Sequence, residues 1–220
     1  MFAAAARSPA IISRKASIQA AAGAEVGEAA SPRAKPLPDM SSASGLSGKT
    51  IALVGLSGVG KSSIGRRLAV ALGMPFRDAD AEVEAAAGRP IAEIFAQYGE
   101  QAFRDGERRV IARLLTEPPH VLATGGGAFQ NPETRRLIKE KAVSVWLKAD
   151  IEVLARRVAR KENRPLLAGK DPLEVLAAQA HDRYPAYGEA DIAVETGDTA
   201  HNVAVEAILR ALAQRAEATT

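Results

Sequence analysis

The chain has 220 residues, 47% hydrophobic and 25% charged, the balance of an ordinary soluble protein with room for one domain and a modest extra segment. It has no cysteine and only 3 histidines, which excludes a disulfide framework, a thiolate zinc site, a cysteine nucleophile and a histidine-rich metal centre. No run of about 18 apolar residues occurs, so no membrane-spanning helix is expected, and the net charge of +3 sits entirely in the first 49 residues. There six bases (Arg7, Arg14, Lys15, Arg33, Lys35, Lys49) outweigh three acids (Glu25, Glu28, Asp39), and the remainder is neutral. A neutral body does not attract polyphosphate backbones in bulk, so no nucleic-acid partner is expected and the arginines must act locally.

Residues 1–48 are rich in Ala, Ser, Gly and Pro and cannot bury enough apolar surface to offset their ordering entropy. They are expected to form a disordered tail and linker before a single domain at 49–220. The basic, acid-free first 24 residues faintly resemble an organelle transit peptide, but a disordered bacterial tail fits the composition better. Met40 is a second candidate start.

From Thr50 the pattern sharpens. "TIALV" (50–54) predicts a buried parallel strand. A glycine-punctuated loop and a helix over "KSSIGRRLAVAL" follow, with Ile64, Leu68, Val70, Ala71 and Leu72 expected near one face and Gly73 after its end. "PFRDAD" reads as a second strand ending in acids. Residues 80–88 and 91–99 read as short helices and 100–117 as a longer one ended by Pro118 and Pro119. "HVLATGGG" is a third strand entering a triple-glycine turn. Asn131 and Pro132 suit the N-cap and first turn of a helix to about Lys141. "AVSVWLK" is a fourth strand, and Asp150 can cap a helix to about Lys161. A loop holds "NRPLLAGKD", a helix runs from about Pro172, "DIAVE" (191–195) is a fifth strand, and a last helix closes the chain. Strands alternating with helices predict right-handed crossovers, a parallel sheet and a three-layer α/β/α domain.

The strongest motif is Gly55-Leu56-Ser57-Gly58-Val59-Gly60-Lys61-Ser62, which fits G-x-x-x-x-G-K-[ST] between a predicted strand and helix. Glycines let backbone N–H groups turn inward, and with the helix N-terminus these hold a phosphate chain. Lys61 can bridge the β- and γ-phosphates and Ser62 can place its hydroxyl on Mg²⁺. A second site is Asp78-Ala79-Asp80, at the sheet edge that carries the phosphate loop. If the strand persists, the two carboxylates point to one side, one toward a metal's water shell and the other toward a substrate hydroxyl. Alternatively, Asp80 only caps the next helix. Gly125, Gly126 and Gly127 follow the third strand and permit close backbone approach to a ligand, or form a plain tight turn. Arg104, Arg164 and Arg183 stand in distinctive settings ("EQAFRDGE", "RPLL", "HDRYPAY") and suit two-pronged capture of carboxylate or phosphate.

Taken together, GLSGVGKSSIGRRLA, DAD, IAEIFAQYGEQAFRDGE, VLATGGGA, RPLL and RYPAY resemble the shikimate kinases, small phosphate-loop enzymes of the nucleoside-monophosphate-kinase-like group. The likeness runs from about Thr50 to about Leu212. It implies a five-stranded parallel sheet of order 2-3-1-4-5 and ATP-dependent phosphorylation of shikimate to shikimate 3-phosphate, with one Mg²⁺, in a cytoplasmic monomer. Residue by residue, it implies that Gly58, Val59, Gly60, Lys61, Ser62 and Ser63 hold the phosphates of ATP. Asp80 would bind the shikimate hydroxyls and serve as candidate base, and Asp78 would reach Mg²⁺ through water. Arg104 and Arg183 would hold the substrate carboxylate, Gly125, Gly126 and Gly127 would line its pocket, and Gly126 would donate a backbone N–H. Arg164 would be the lid arginine over the phosphates and Arg157 would stack on adenine. The loop "TGDTAHN" lacks the proline that often completes the family's adenine slot, which leaves His201 as a candidate for that wall.

Rival readings are another small metabolite kinase, such as a gluconate or adenylate kinase, and a non-catalytic shikimate-binding regulator. The short lid and both carboxylate-binding arginines disfavour the first. The presence of Lys61, Ser62 and Asp80 disfavours the second.

Overall fold

The computed structural model describes residues 48–159, 171–197 and 200–219. Within them are five strands and seven α-helices: β1 (Thr50–Val54), α1 (Lys61–Leu72), β2 (Phe76–Asp78), α2 (Ala79–Ala87), α3 (Ile91–Leu114), β3 (Val121–Ala123), α4 (Pro132–Lys141), β4 (Ala142–Lys148), α5 (Ile151–Ala159), α6 (Pro172–Tyr187), β5 (Ile192–Glu195) and α7 (His201–Thr219). The expected tail lies outside the described residues, apart from Gly48 at its end.

The sheet has the expected order, β2-β3-β1-β4-β5, and every pairing is parallel. β1 lies at its centre and is buried at all five positions, which is why it reads as an unbroken apolar run rather than an alternating one. Its register sets Leu53 beside Ala123 and Val54 beside Trp146. The strand ends therefore share one edge, and each crossover delivers its loop there. α1 and α7 pack on one face of the sheet, and α4 and α6 belong to the other. The core is aliphatic, with Ile51, Leu53, Leu68, Ile111, Leu122, Ile138, Leu147, Ile208 and Leu212 almost fully excluded from solvent.

Local chemistry explains most boundaries. Gly73 ends α1 in the left-handed conformation, φ 63°. Asn131 caps α4 by accepting from the Thr134 N–H at 3.0 Å, with Pro132 in the first turn. Asp150 accepts from the Glu152 N–H at 2.8 Å at the start of α5. The two helices predicted over 91–99 and 100–117 are the two limbs of α3, which kinks at Gly99 (φ 78°, ψ 174°) and ends at Leu114, three residues early.

Two expectations need correction. The second strand does not extend to Asp80: β2 stops at Asp78, which caps α2 by accepting from the Asp80 N–H at 3.2 Å. The buried face of α1 is Ile64, Gly65, Leu68 and Ala69, whereas Val70 is 83% exposed and Ala71 is also exposed. At 100° per residue, position 70 is carried to the far side of the helix from the 64–68 row, whereas Ala71 stays near that row and is exposed in the last turn of α1. The predicted end of α5 at Lys161 lies outside the described residues.

Glycines in this fold fall into strained and unstrained classes, and a pair of variants tests the assignment. A Cβ on Gly55, at φ 136°, would stand 2.4 Å from the Leu147 backbone oxygen, whereas one on Gly106, inside α3, would meet nothing within 4 Å. Urea unfolding should show Gly55→Ala destabilised by at least about 2 kcal/mol and Gly106→Ala stabilised by about 0.5–1 kcal/mol. Equal effects would contradict the assignment.

Candidate active site

The loop between β1 and α1 forms a cradle. Gly55, Gly58 and Gly60 have φ of 136°, 87° and 98°, values that side-chain-bearing residues rarely adopt. Gly60 is the N-cap of α1 and no side chain caps that helix end, so its first-turn amides are left for a ligand. The Lys61 ammonium donates to the carbonyls of Gly55 (2.8 Å) and Leu56 (3.0 Å), which holds it over the loop. The Val59 side chain is 1% exposed, so only its backbone can face a ligand.

Above the loop is a cavity of about 490 Å³. Its walls include Gly58, Gly60, Lys61, Ser62 and Ser63 from the loop and first turn. Asp78, Asp80, Thr124 and Gly126 also line it, as do Arg157 and His201. Arg157 is anchored by donation to the Gly197 carbonyl at 2.6 Å. A Cβ on Gly60 would lie 3.5 Å from His201 Nε2, so that imidazole stands directly beside the loop. Burial, with the Arg67 and Arg157 charges, lowers the His201 pKa below its ordinary value. Arg164 lies outside the described residues.

The triple glycine works differently from the phosphate loop. None of Gly125, Gly126 and Gly127 has a left-handed φ; their value is the space a missing Cβ leaves. At Gly125 a Cβ would stand 2.0 Å from Glu107 Oε1 and 3.1 Å from Asp80 Oδ1. At Gly127 it would stand 2.7 Å from the Arg104 guanidinium carbon, and at Gly126 3.1 Å from Ser57 Oγ. The close approach expected of a ligand is thus also made by the protein's own charged side chains. The Gly126 carbonyl accepts from Arg183 Nη1 (3.0 Å) and from the Tyr187 hydroxyl.

Arg104 and Arg183 converge on this edge from α3 and α6 with different partners. Arg104 donates to Glu100 (2.8 and 3.2 Å) and to Glu107 (3.1 Å). Among the described residues Arg183 has no carboxylate partner, and it donates to the Gly126 carbonyl. Asp80 sits in the first turn of α2, beside Gly125, and its backbone N–H is the one that Asp78 caps. The carboxylates therefore reach one cavity through a strand–helix junction and not through strand alternation.

Sequence reasoning missed Glu107. Its side chain is 3% exposed, and its Oε1 has no hydrogen-bond partner among the described residues. Burial raises its carboxyl pKa above the ordinary value, Arg104 opposes the rise and the Asp80 charge adds to it. The available signal was its position three residues after Arg104 on a predicted helix, where side chains meet. Thr124 and Ser57 also carried no motif of their own.

The titration of Glu107 has a sign that can be checked. Its folded-state pKa lies above the unfolded value, so the native state binds more protons between the two. That contribution to stability falls as pH rises through the window above the ordinary carboxylate value of 4.5. The melting temperature of Glu107→Gln relative to wild type should therefore climb as pH rises through this window. A difference that stays constant with pH would rule out the raised carboxyl.

With this geometry in place, likeness to known proteins is informative. A family model described as shikimate kinase matches residues 57–213. A shikimate kinase of Caulobacter vibrioides is 76% identical over 169 residues, covering 77% of this chain and 84% of that protein. One of Paramagnetospirillum magneticum is 54% identical, covering 77% and 87%. Among solved structures, shikimate kinase from Acinetobacter baumannii in complex with shikimate matches with a TM-score of 0.75 at 36% identity, covering 77% of this chain and 96% of that one. The phosphate loop, the sheet order and these matches agree, and the chain belongs to the shikimate kinase family.

Proposed function

We propose that the chain transfers the γ-phosphoryl group of ATP to a hydroxyl of shikimate, giving ADP and shikimate 3-phosphate. The observation that carries this reading is one continuous cavity joining the phosphate loop to Asp80, Thr124 and Gly126, with Arg104 and Arg183 on the same glycine edge. It holds a donor's phosphates at one end and an anionic, hydroxylated acceptor at the other.

Phosphoryl transfer passes through a loose transition state, so positioning and charge neutralisation supply most of the catalysis. The amides of Gly58–Ser63 hold the β- and α-phosphates. Lys61 exchanges its contacts with the Gly55 and Leu56 carbonyls for phosphate oxygens. Arg183 takes the substrate carboxylate in a two-pronged grip. Arg104 joins it by giving up the exposed Glu100 carboxylate while the buried Glu107 keeps its guanidinium in place. Asp80 accepts a hydrogen bond from the acceptor hydroxyl and takes its proton late in the transfer. Arg157 and His201 flank the nucleotide base, and Arg164 closes over the phosphates.

The Ser62 hydroxyl and the Asp78 carboxylate face one cavity, and an all-oxygen donor set of this kind suits Mg²⁺ completed by phosphate and water. Asp78 already accepts from the Asp80 N–H, which supports contact through water. When bound, the ion supplies positive charge at the β- and γ-phosphate oxygens. The active unit is read as a monomer and its location as cytoplasmic, as the family resemblance implies. No described helix is long and apolar enough to cross a membrane. The domain is read as 49–220, and a chain starting at Met40 is expected to keep full activity.

A coupled ADP-release assay offering shikimate, gluconate and AMP in parallel tests the reading, and shikimate alone should support turnover. Asp80→Asn should lower kcat with shikimate by about 10²–10⁴-fold, while calorimetric ADP affinity stays within about twofold. Retention of more than about a tenth of wild-type turnover would leave under about 1.4 kcal/mol to the carboxylate and refute its role.

A further inference from the structure

We infer that Tyr187 is a positioning residue for the acceptor: its hydroxyl clamps the Gly126 carbonyl on which the Arg183 guanidinium is seated. The inference rests on the proposed role of Arg183 and extends it.

Tyr187 is 1% exposed, one turn beyond Arg183 on α6. Four residues apart on a helix, the two side chains leave it in the same direction. Both reach Gly126, 57 and 61 residues away in sequence, and both donate to its carbonyl oxygen. The Arg183 charge also lies near the phenol, where it opposes the rise in the Tyr187 pKa. Phenol and guanidinium thus meet on one peptide oxygen at the edge of the acceptor site.

The ring is held independently of its hydroxyl. Its centroid lies 5.9 Å from that of Trp146 and 6.4 Å from those of Phe129 and Tyr184. A phenylalanine would fill this aromatic setting equally well. A buried hydroxyl is costly unless hydrogen-bonded, and here its acceptor is the carbonyl that also seats Arg183. Burial raises the phenol pKa to about 12, so the group remains a donor at any working pH. A Cβ on Gly126 would stand 3.3 Å from the Ser57 backbone nitrogen and 3.6 Å from Arg183 Nη1, so the loop after β1 and Arg183 both press on this residue. Tyr187 fixes the peptide oxygen from a buried, packed ring, and Arg183 presents its remaining N–H groups from that fixed oxygen. Without the hydroxyl, Arg183 keeps its charge and its bond to the Gly126 carbonyl but loses the clamp that holds that carbonyl in place.

The test is a kinetic cycle of wild type, Tyr187→Phe, Arg183→Lys and the double variant, with Tyr184→Phe as the control for deleting a hydroxyl from the same aromatic cluster. Tyr187→Phe should raise the KM for shikimate by about three- to tenfold, the order of one net hydrogen bond. The KM for ATP and kcat should stay within about twofold. In the Arg183→Lys background, Tyr187→Phe should add no further loss, because its effect acts through the arginine. Tyr184→Phe should leave the shikimate KM unchanged. An unchanged shikimate KM in Tyr187→Phe, with Arg183→Lys impaired, overturns the inference alone, and so do additive losses in the double variant. A Tyr187→Phe protein without a cooperative melt, or one losing kcat alone, assigns the hydroxyl to stability and also overturns it. An unchanged shikimate KM in Arg183→Lys removes both the inference and the role of Arg183 on which it rests.

Discussion

Steric emptiness at three consecutive backbone positions governs this site. After β3 the chain runs through Gly125, Gly126 and Gly127 in ordinary backbone conformations, and the missing side chains leave room for Glu107, Asp80, Ser57 and Arg104. Packed interiors accept no overlap, and a single methyl at Gly125 would collide with the Glu107 carboxylate at 2.0 Å. The parallel sheet supplies the edge, and the glycines decide how closely charged groups from α2 and α3 and the phosphate loop can gather on it.

That gathering creates an electrostatic problem with a local solution. Asp80 and Glu107 bring two carboxyl groups to one glycine, and the more deeply buried of them has its pKa raised. Arg104 balances Glu107 from the next turn of the same helix, and Lys61 adds positive charge from across the cavity. Arg183 is left with the Gly126 carbonyl, which it shares with the Tyr187 hydroxyl, and with no carboxylate among the described residues. Under the proposed function, this charge set suits an anion at Arg183 and a hydroxyl at Asp80, in the cavity that the phosphate loop also lines.

Features with local causes were legible in the sequence. The strand–loop–helix around Gly55–Ser62, the Asn131 and Asp150 caps and the break near Gly99 each depend on a few adjacent residues. The order of the five strands came with the family resemblance and agrees with the structure. Less legible were features that depend on where an element stops. The Asp-x-Asp pair was expected on a strand, yet β2 ends at the first aspartate and the cap it makes turns the second into a helix. Val70 looked like core because it is apolar, but the helix turns it outward, and Ala71, nearer the buried row, is exposed in the last turn. Least legible were contacts between distant segments: the space beside Gly125 that Glu107 occupies, and the Gly126 carbonyl that Tyr187 shares with Arg183. No local spacing encodes a partner 57 or 61 residues away.

The central claim, that the empty space at the glycine edge builds the acceptor half of the site and leaves the nucleotide half independent, is tested most directly by calorimetric titration of Gly125→Ala. Shikimate and ADP would be titrated separately into protein shown to melt cooperatively. Displacing Glu107 and Asp80 from Gly125 should weaken shikimate binding at least about tenfold, about 1.4 kcal/mol, while ADP affinity stays within about twofold of wild type. Wild-type shikimate affinity, or equal loss for both ligands, would contradict the account.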